Sequence, residues 1–327
     1  MILVLGGAGY IGSHIVKRLV NDGQPVVVYD DLSQGHEEAI AGVPLVRAEI
    51  GDTPRLRQAI VDHGVESVIH FAAFCYVGES VDEPLRYYRN NVVGSVSVLE
   101  AMRAEGVKRI IFSSSAATYG IPKTVPIPET EPQQPINPYG RTKLMIEQVM
   151  ADSDAAWGLR YTALRYFNAA GADVEGRLGE WHDPETHLIP LACYAALGTI
   201  PAFTIHGGDY DTPDGSCVRD FIHVDDLADA HVRALRRLES GAPSRSFNLG
   251  NGEGFSVRQV AEAVRRLSGK DFSIVTGPPR PGDPPVLVAD ASSARTELGW
   301  TPRHSDLDTI VRTSWRWLET HPRGYGA

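Results

Sequence analysis

The chain has 327 residues, 43% of them hydrophobic and 22% charged, with a formal net charge of −10. Such a length and composition exclude a disordered or fibrous chain and leave room for two lobes around a sizeable core. The acidic balance argues against nucleic acid or an anionic membrane surface as the main partner. Any anionic ligand must then be held by helix N-termini and a few local arginines.

The opening "MILVLGGAG" has no basic leader, its apolar run is four residues long, and no later stretch approaches a membrane span. A cytoplasmic protein with no membrane partner is the expectation. Three cysteines without CxxC spacing, Cys75, Cys193 and Cys217, fit a reducing compartment rather than a disulfide framework. Cys75 is expected to be a small buried filler.

In chain order, "ILVL" (2–5), "PVVVYD" (25–30), "PLVRAE" (44–49), "SVIHFAA" (67–73), "RIIFSSS" (109–115) and "YTALRYFN" (161–168) read as strands. Helical patterns at 10–22, 53–64, 81–106 and 139–158 lie between them. Near-continuous Val/Ile runs suit strands covered on both faces, and alternation with helices predicts a Rossmann-type doubly wound parallel sheet. After about residue 170, Gly/Pro/Asp-rich loops at 171–186, 207–218 and 277–285 separate shorter elements. The expected division is a dinucleotide-binding domain at 1–170 and a smaller α/β substrate lobe at 171–327, set over the carboxyl edge of the sheet. Some segments of the second are expected to return to the first.

Gly6, Gly9 and Gly12 follow the first strand and open a helix, which leaves amides bare for a pyrophosphate. Asp30 ends the next strand, where a carboxylate can accept hydrogen bonds from an adenosine ribose. Asp31 follows, and no Lys or Arg lies in 30–39 to welcome a 2′-phosphate. NAD is therefore expected rather than NADP.

Ser115 ends another strand, at the edge that faces the cofactor crevice. Tyr139 and Lys143 stand at i,i+4 behind the helix-starting pair Asn137-Pro138. Alone, such a pair is an ordinary surface contact. With Ser115 it becomes a hydroxyl to hold an alcohol, a base to deprotonate it and a cation to tune the base. An unperturbed phenol has a pKa of about 10, and ionising it at neutral pH takes about 4 kcal/mol. Lys143 and the positive nicotinamide ring are the expected sources.

Other clusters have plainer readings. His223, Asp225, Asp226, Asp229 and His231 are expected to form a helix start with a solvated face, not a metal site. His182 and His187 are separated by Pro184, so no chelate is expected, and the run 233–239 is a solvated helix face. Trp315 and Trp317 belong to a C-terminal helix and are expected to pack.

The glycine pattern with Ser and Tyr-x-x-x-Lys resembles the extended short-chain dehydrogenase/reductases. "GGAGYIGSH", "HFAAFCYVGES", "NPYGRTKLMIE", "RYFNAAGA", "VRDFIHVDDLADAH", "FNLGNGEGFSV" and "RPGDPPVLVADASSA" look like the UDP-glucose 4-epimerases. The resemblance implies an NAD site lined by Tyr10, Ile11, Asp30, Asp31, Leu32, Glu49, Ile50, Phe71, Ala72, Ala73 and Asn90, with Phe167 on the nicotinamide side. It implies Ser115, Tyr139 and Lys143 as the catalytic set, and a UDP-sugar held by Asn168, His187, Leu188, His206, Arg219, Arg280 and Asp283. Leu287 matches the gate position for the sugar 2-substituent. It also implies a homodimer through the helices at 82–104 and 140–157, with Val92, Val96, Leu99, Leu144 and Ile146 among the exposed apolar positions.

Nucleotide-sugar dehydratases and decarboxylases share the fold, but Ala116 and Ala117 stand where those families carry acidic residues. A non-catalytic dinucleotide sensor would commonly lack the Tyr-Lys pair. The runner-up is a 4-epimerase of UDP-glucuronate or a UDP-pentose.

Overall fold

β1 (Ile2–Leu5), β2 (Val26–Asp30), β3 (Leu45–Arg47), β4 (Ser67–His70), β5 (Arg109–Ser115) and β6 (Arg160–Tyr166) lie side by side in the order β3-β2-β1-β4-β5-β6. This is a computed structural model that describes residues 1–280 and 283–326. All these strands pair in parallel, and reversal of the strand order beside β1 opens a crevice at their carboxyl ends. A seventh strand, β11 (Arg245–Leu249), flanked by α10 (Ser292–Glu297), joins the far edge beside β6 although it comes from the second half of the chain.

The helices that cover the sheet are α1 (Tyr10–Asn21) and α2 (Thr53–His63), the short α3 (Val77–Asp82) and α4 (Pro84–Tyr87), then α5 (Gly94–Ala104) and α6 (Pro138–Trp157). Val4, Leu5, Val27 and Val28 are wholly buried between these layers. Each such side chain contributes about 1.5–3 kcal/mol on burial, which is why the strand runs are apolar throughout. One core holds Ile15, Val16 and Leu19 of α1, and the opposite one holds Leu56, Val98 and Ile146.

The long helix read at 81–106 is instead divided. Pro84 lacks an N–H and starts α4, and residues Tyr88–Val93 form a π turn before α5. Within that turn the buried Asn91 accepts from the Phe74 amide and donates to the Phe74 carbonyl and Thr142 Oγ1. The turn thereby fixes the loop after β4 and points Asn90 at the crevice. Leu99 and Ile146 belong to the core rather than to an exposed face, while Val92, Val96 and Leu144 are half-buried.

After β6 the chain leaves the sheet at Phe167, so the strand read at 161–168 is two strands. β7 (Asn168–Ala170) pairs with β10 (Phe221–His223). The second lobe is built from α7 (Leu188–Leu197), β8 (Phe203–His206), β9 (Val218–Arg219), β12 (Phe255–Ser256), α9 (Val257–Ser268), β13 (Ile274–Gly277), β14 (Val286–Leu287) and α11 (Leu307–Thr320). β9 lies between β12 and β14, and β8 pairs with β13. α7, α9 and α11 close over a core that includes Trp315 and Trp317. α8 (Val224–Glu239) returns to pack against α1, its Leu227, Ala228 and Leu235 sharing the core of the sheet. No helix among the described residues is long and apolar enough to cross a membrane.

Candidate active site

A cleft of roughly 1550 Å³ runs between the carboxyl edge of the sheet and the second lobe. A single small-ligand pocket is typically about 300–1,000 Å³, so this one has room for two ligands.

At one end lies the turn between β1 and α1. A Cβ on Gly12 would meet the Gly6 carbonyl oxygen at 2.1 Å, so only glycine lets the helix start this close to the strand. Gly9 differs, because a Cβ there would make only an ordinary 3.5 Å contact with that oxygen. Its smallness serves the cleft, not the chain. α1 has no side-chain cap and no acidic residue in its first turn, so its leading amides and positive dipole end are left for an anion. Asp30 is buried and accepts from the amides of Ala8 and Leu32 at 2.9 Å each. Each carboxylate oxygen keeps a lone pair for a ribose hydroxyl. Burial pushes its pKa up and those two amides pull it back. Bare amides, an open glycine and a ribose-ready carboxylate fit NAD.

The catalytic candidates meet further along. Asn137 caps α6 by accepting from the Gly140 amide at 2.8 Å, and Pro138 takes the first helical position. A Cβ on Gly140 would lie 2.4 Å from the Ala117 oxygen, so its absence brings α6 against the end of β5. Ser115 Oγ accepts from the Ala117 amide at 3.1 Å, which leaves its proton to donate. Lys143, 2% exposed, donates to the Ser113 carbonyl at 2.7 Å, and its Nζ lies 5.7 Å from the Tyr139 ring centroid.

Burial pushes the Tyr139 phenol well above its ordinary value, with Cys75 and Tyr166 adding to the rise and the Ser115 hydroxyl opposing it. Burial lowers the Lys143 ammonium to about 8, against the raising influence of Cys75 and Glu147. Lys143 thus stays mostly charged at neutral pH, but the protein alone holds Tyr139 protonated. A further positive charge is needed to ionise it.

Glu147, missed in the sequence, stands one turn beyond Lys143. It accepts from Ser114 Oγ and pairs with the buried Arg165 at 2.5 Å. The i,i+4,i+8 spacing of Tyr139, Lys143 and Glu147 on one helix face was the signal that could have found it.

The remaining expected residues mostly reach the same cleft. Gly6, Tyr10, Ile11, Asp31, Ile50, Phe71, Ala72, Ala73, Asn90 and Phe167 line it. Leu32 and Glu49 do not line it. Leu32 packs on the core behind Asp30, and Glu49 points to solvent while its carbonyl accepts from Tyr29.

Asn168, His187, Leu188, His206, Arg219, Arg280, Asp283 and Leu287 also line the cleft. Asn168 donates to the Asp220 carbonyl at 2.9 Å. Arg219 pairs with Asp283 at 2.5 Å. Leu287 sits directly opposite Arg219 in the β9–β14 pairing.

Two expectations are corrected: Cys75 as a buried filler, and the solvated face at 223–231, where His223, Asp226 and His231 are buried. Cys75 is exposed on the cleft wall, not buried, because the amides of Phe71 and Ala72 both close on the Leu5 carbonyl and turn the chain out of the sheet. His182 and His187 are brought together despite Pro184, their ring centroids 5.1 Å apart, with Glu180 and Glu185 between them.

Residues 2–250 match the NAD dependent epimerase/dehydratase family. The chain belongs to that family. This epimerase/dehydratase chain is 49% identical over 325 residues to the UDP-glucose 4-epimerase of Lactobacillus helveticus, covering 99% of this chain and 98% of that protein. It matches the crystal structure of UDP-glucose 4-epimerase from Brucella ovis in complex with NAD at a TM-score of 0.94 and 51% identity, over 96% of this chain and 97% of that one. The enzyme from Bifidobacterium longum, in complex with NAD+ and UDP, matches at 0.93 and 37%, over 99% of each chain.

Proposed function

We infer that this protein is an NAD-dependent UDP-glucose 4-epimerase, interconverting UDP-glucose and UDP-galactose. The observation that carries the reading is the meeting of Ser115, Tyr139 and Lys143 in one cleft with an anion-ready α1 terminus, in a chain about half identical to such enzymes over nearly its whole length.

Gly9, Gly12 and the α1 amides would hold the NAD pyrophosphate, and Asp30 the adenosine ribose. When bound, NAD supplies reversible two-electron oxidation at the sugar C4 and, in its oxidised form, a fixed positive charge. Tyr139 takes the proton of the 4-hydroxyl. Ser115, its oxygen held by the Ala117 amide, donates to the same sugar oxygen. Lys143 adds its charge and, through the Ser113 carbonyl, anchors α6 to β5. Arg219, Arg280 and Asn168 hold the UDP diphosphate while the sugar turns over in the cleft, whose volume allows it.

The oxidation is reversed within each cycle, so NAD behaves as a resident group. Protein purified without added nucleotide is expected to release NAD, not NADP, on denaturation, and to turn over with no external cofactor. Stoichiometric consumption of added NAD during turnover would point instead to a dehydrogenase.

Leu287 is proposed as the gate for the sugar 2-substituent. A 2-acetamido group forced against it costs about 1–3 kcal/mol of overpacking, a roughly ten- to hundredfold preference for UDP-glucose over UDP-N-acetylglucosamine. Leu287→Ser should narrow that ratio of kcat/KM with little effect on UDP-glucose. An unchanged ratio removes the gate.

A cytoplasmic homodimer is the proposed form. Its support is the run of exposed apolar side chains Val81, Leu85 and Val93 along α3, α4 and the π turn, with Met145 on α6. Light scattering at micromolar concentration should give twice the mass of 35.6 kDa, and a monomer refutes it.

A further inference from the structure

The cleft wall carries a second cluster, all of it within eight residues of one loop. Glu180 Oε1 lies 2.9 Å from His187 Nδ1 and 3.4 Å from His182 Nδ1. Glu185 Oε2 lies 3.6 Å from His182 Nδ1, and Glu185 Oε1 lies 2.9 Å from His187 Nδ1. The two carboxylate side chains are 6% and 4% exposed, and that of His182 is 11% exposed. Among the described residues this is the one group whose ligand atoms converge, all within 4.8 Å of one another.

Hydrogen bonding alone does not satisfy the cluster. His182 Nδ1 and Glu185 Oε2 are buried and have no partner. Their separation of 3.6 Å exceeds the roughly 2.7–3.2 Å of a hydrogen bond. Meanwhile the amides of Thr186 and His187 both donate to Glu185 Oε1 at 2.7 Å, fixing that carboxylate with Oε2 turned to His182. An imidazole nitrogen and a carboxylate oxygen, turned toward each other and too far apart to hydrogen-bond, are what ligands of a shared ion look like. Ligands at about 2.0–2.2 Å from a tetrahedral ion lie about 3.3–3.6 Å from each other. The observed 3.4 and 3.6 Å match that edge length, and the two 2.9 Å separations at His187 are shorter.

We propose that Glu180, His182, Glu185 and His187 form a site for one divalent transition-metal ion, with zinc the occupant that its ligand chemistry favours. Two imidazoles and two carboxylates suit zinc better than magnesium or calcium, which take oxygen ligands. The charge of a divalent ion matches that of the two carboxylates and leaves both imidazoles neutral. Glu180, His182 and His187 line the cleft, which supplies the entry path. The His182 ring meets Tyr10 of α1 edge-on at 6.4 Å and Tyr76 at 6.0 Å. An ion here therefore pins the 180–188 loop and, through those rings, links the second lobe to the dinucleotide half. Its role is structural, and it stands whether or not the sugar chemistry is that of an epimerase.

The test uses the full chain, without a histidine tag, stripped with a chelator and titrated with Co2+ and then Zn2+. One equivalent of Co2+ should bind with the strong visible absorption of a tetrahedral complex, and Zn2+ should displace it. Glu185→Gln and His182→Gln keep side chains of similar size, so the loop can retain its path. Each should weaken binding by more than the roughly 10–100-fold that follows loss of an outer-shell partner. Hydrogen exchange at 180–188 should slow on zinc addition in the wild type and not in either variant. Absence of a saturable equivalent, or an equivalent that both variants retain, overturns the site.

Discussion

Tyr139→Phe should lower turnover of UDP-glucose by a factor of about 10²–10⁴, with bound NAD unchanged. The substitution keeps the ring that lies against the Lys143 ammonium and removes only the proton acceptor. Tyr166, another phenol of the cleft, is not set to replace it, because its hydroxyl is engaged with Ser113 and burial also holds it protonated.

The pH profile gives an independent readout. Lys143 loses its proton as pH rises through about 8, since burial lowers its pKa from the usual lysine range. Below that value the ammonium favours the tyrosinate. Lys143→Met removes the cation at every pH, so Tyr139 becomes harder to ionise and the rising limb of kcat/KM should move to higher pH. Near-wild-type activity in Tyr139→Phe would require another base. An unmoved profile in Lys143→Met would mean that Lys143 only anchors α6.

The second large effect is expected on stability, at Glu147. Its carboxylate pairs with the Arg165 guanidinium, the Nε at 3.0 Å and Nη2 at 2.5 Å, and both side chains are 7% exposed. Arg165 also donates to Tyr119 Oη at 2.9 Å, which in turn donates to Asn248 Oδ1 at 2.7 Å. One network thus ties α6 to β5, to β6 and to the edge strand at Arg245–Leu249. Glu147→Ala strands a buried guanidinium and should cost about 3–5 kcal/mol in urea unfolding, in a change of midpoint at constant slope. Glu147→Ala with Arg165→Met should recover much of it, because no unpaired charge remains. A loss below about 1 kcal/mol for the single variant would show that water reaches the pair.

Six strands and the cap at Asn137 were legible because they follow from short-range causes: Val/Ile runs, proline at the first helical position and a side chain that can bond an amide three residues on. The π turn was not legible in the pattern, since its reason is a contact between Asn91 and the Phe74 backbone, 17 positions away. Exposure was misread at Leu99 and Ile146 because periodicity states that a face is apolar and not what covers it.

The sequence by itself determined the parallel sheet, the glycine turn with its following Asp30, and the presence of Ser115, Tyr139 and Lys143 at strand end and helix start. Each depends on spacing within a few residues. Only the tertiary structure decided that a strand from 245–249 completes the sheet, that Leu32 and Glu49 stay out of the cleft lining, and that Arg165 gives Glu147 its partner. It also decided that Glu180, His182, Glu185 and His187 share one point. These outcomes depend on how distant segments pack and how a loop folds against them. No local pattern carries that information.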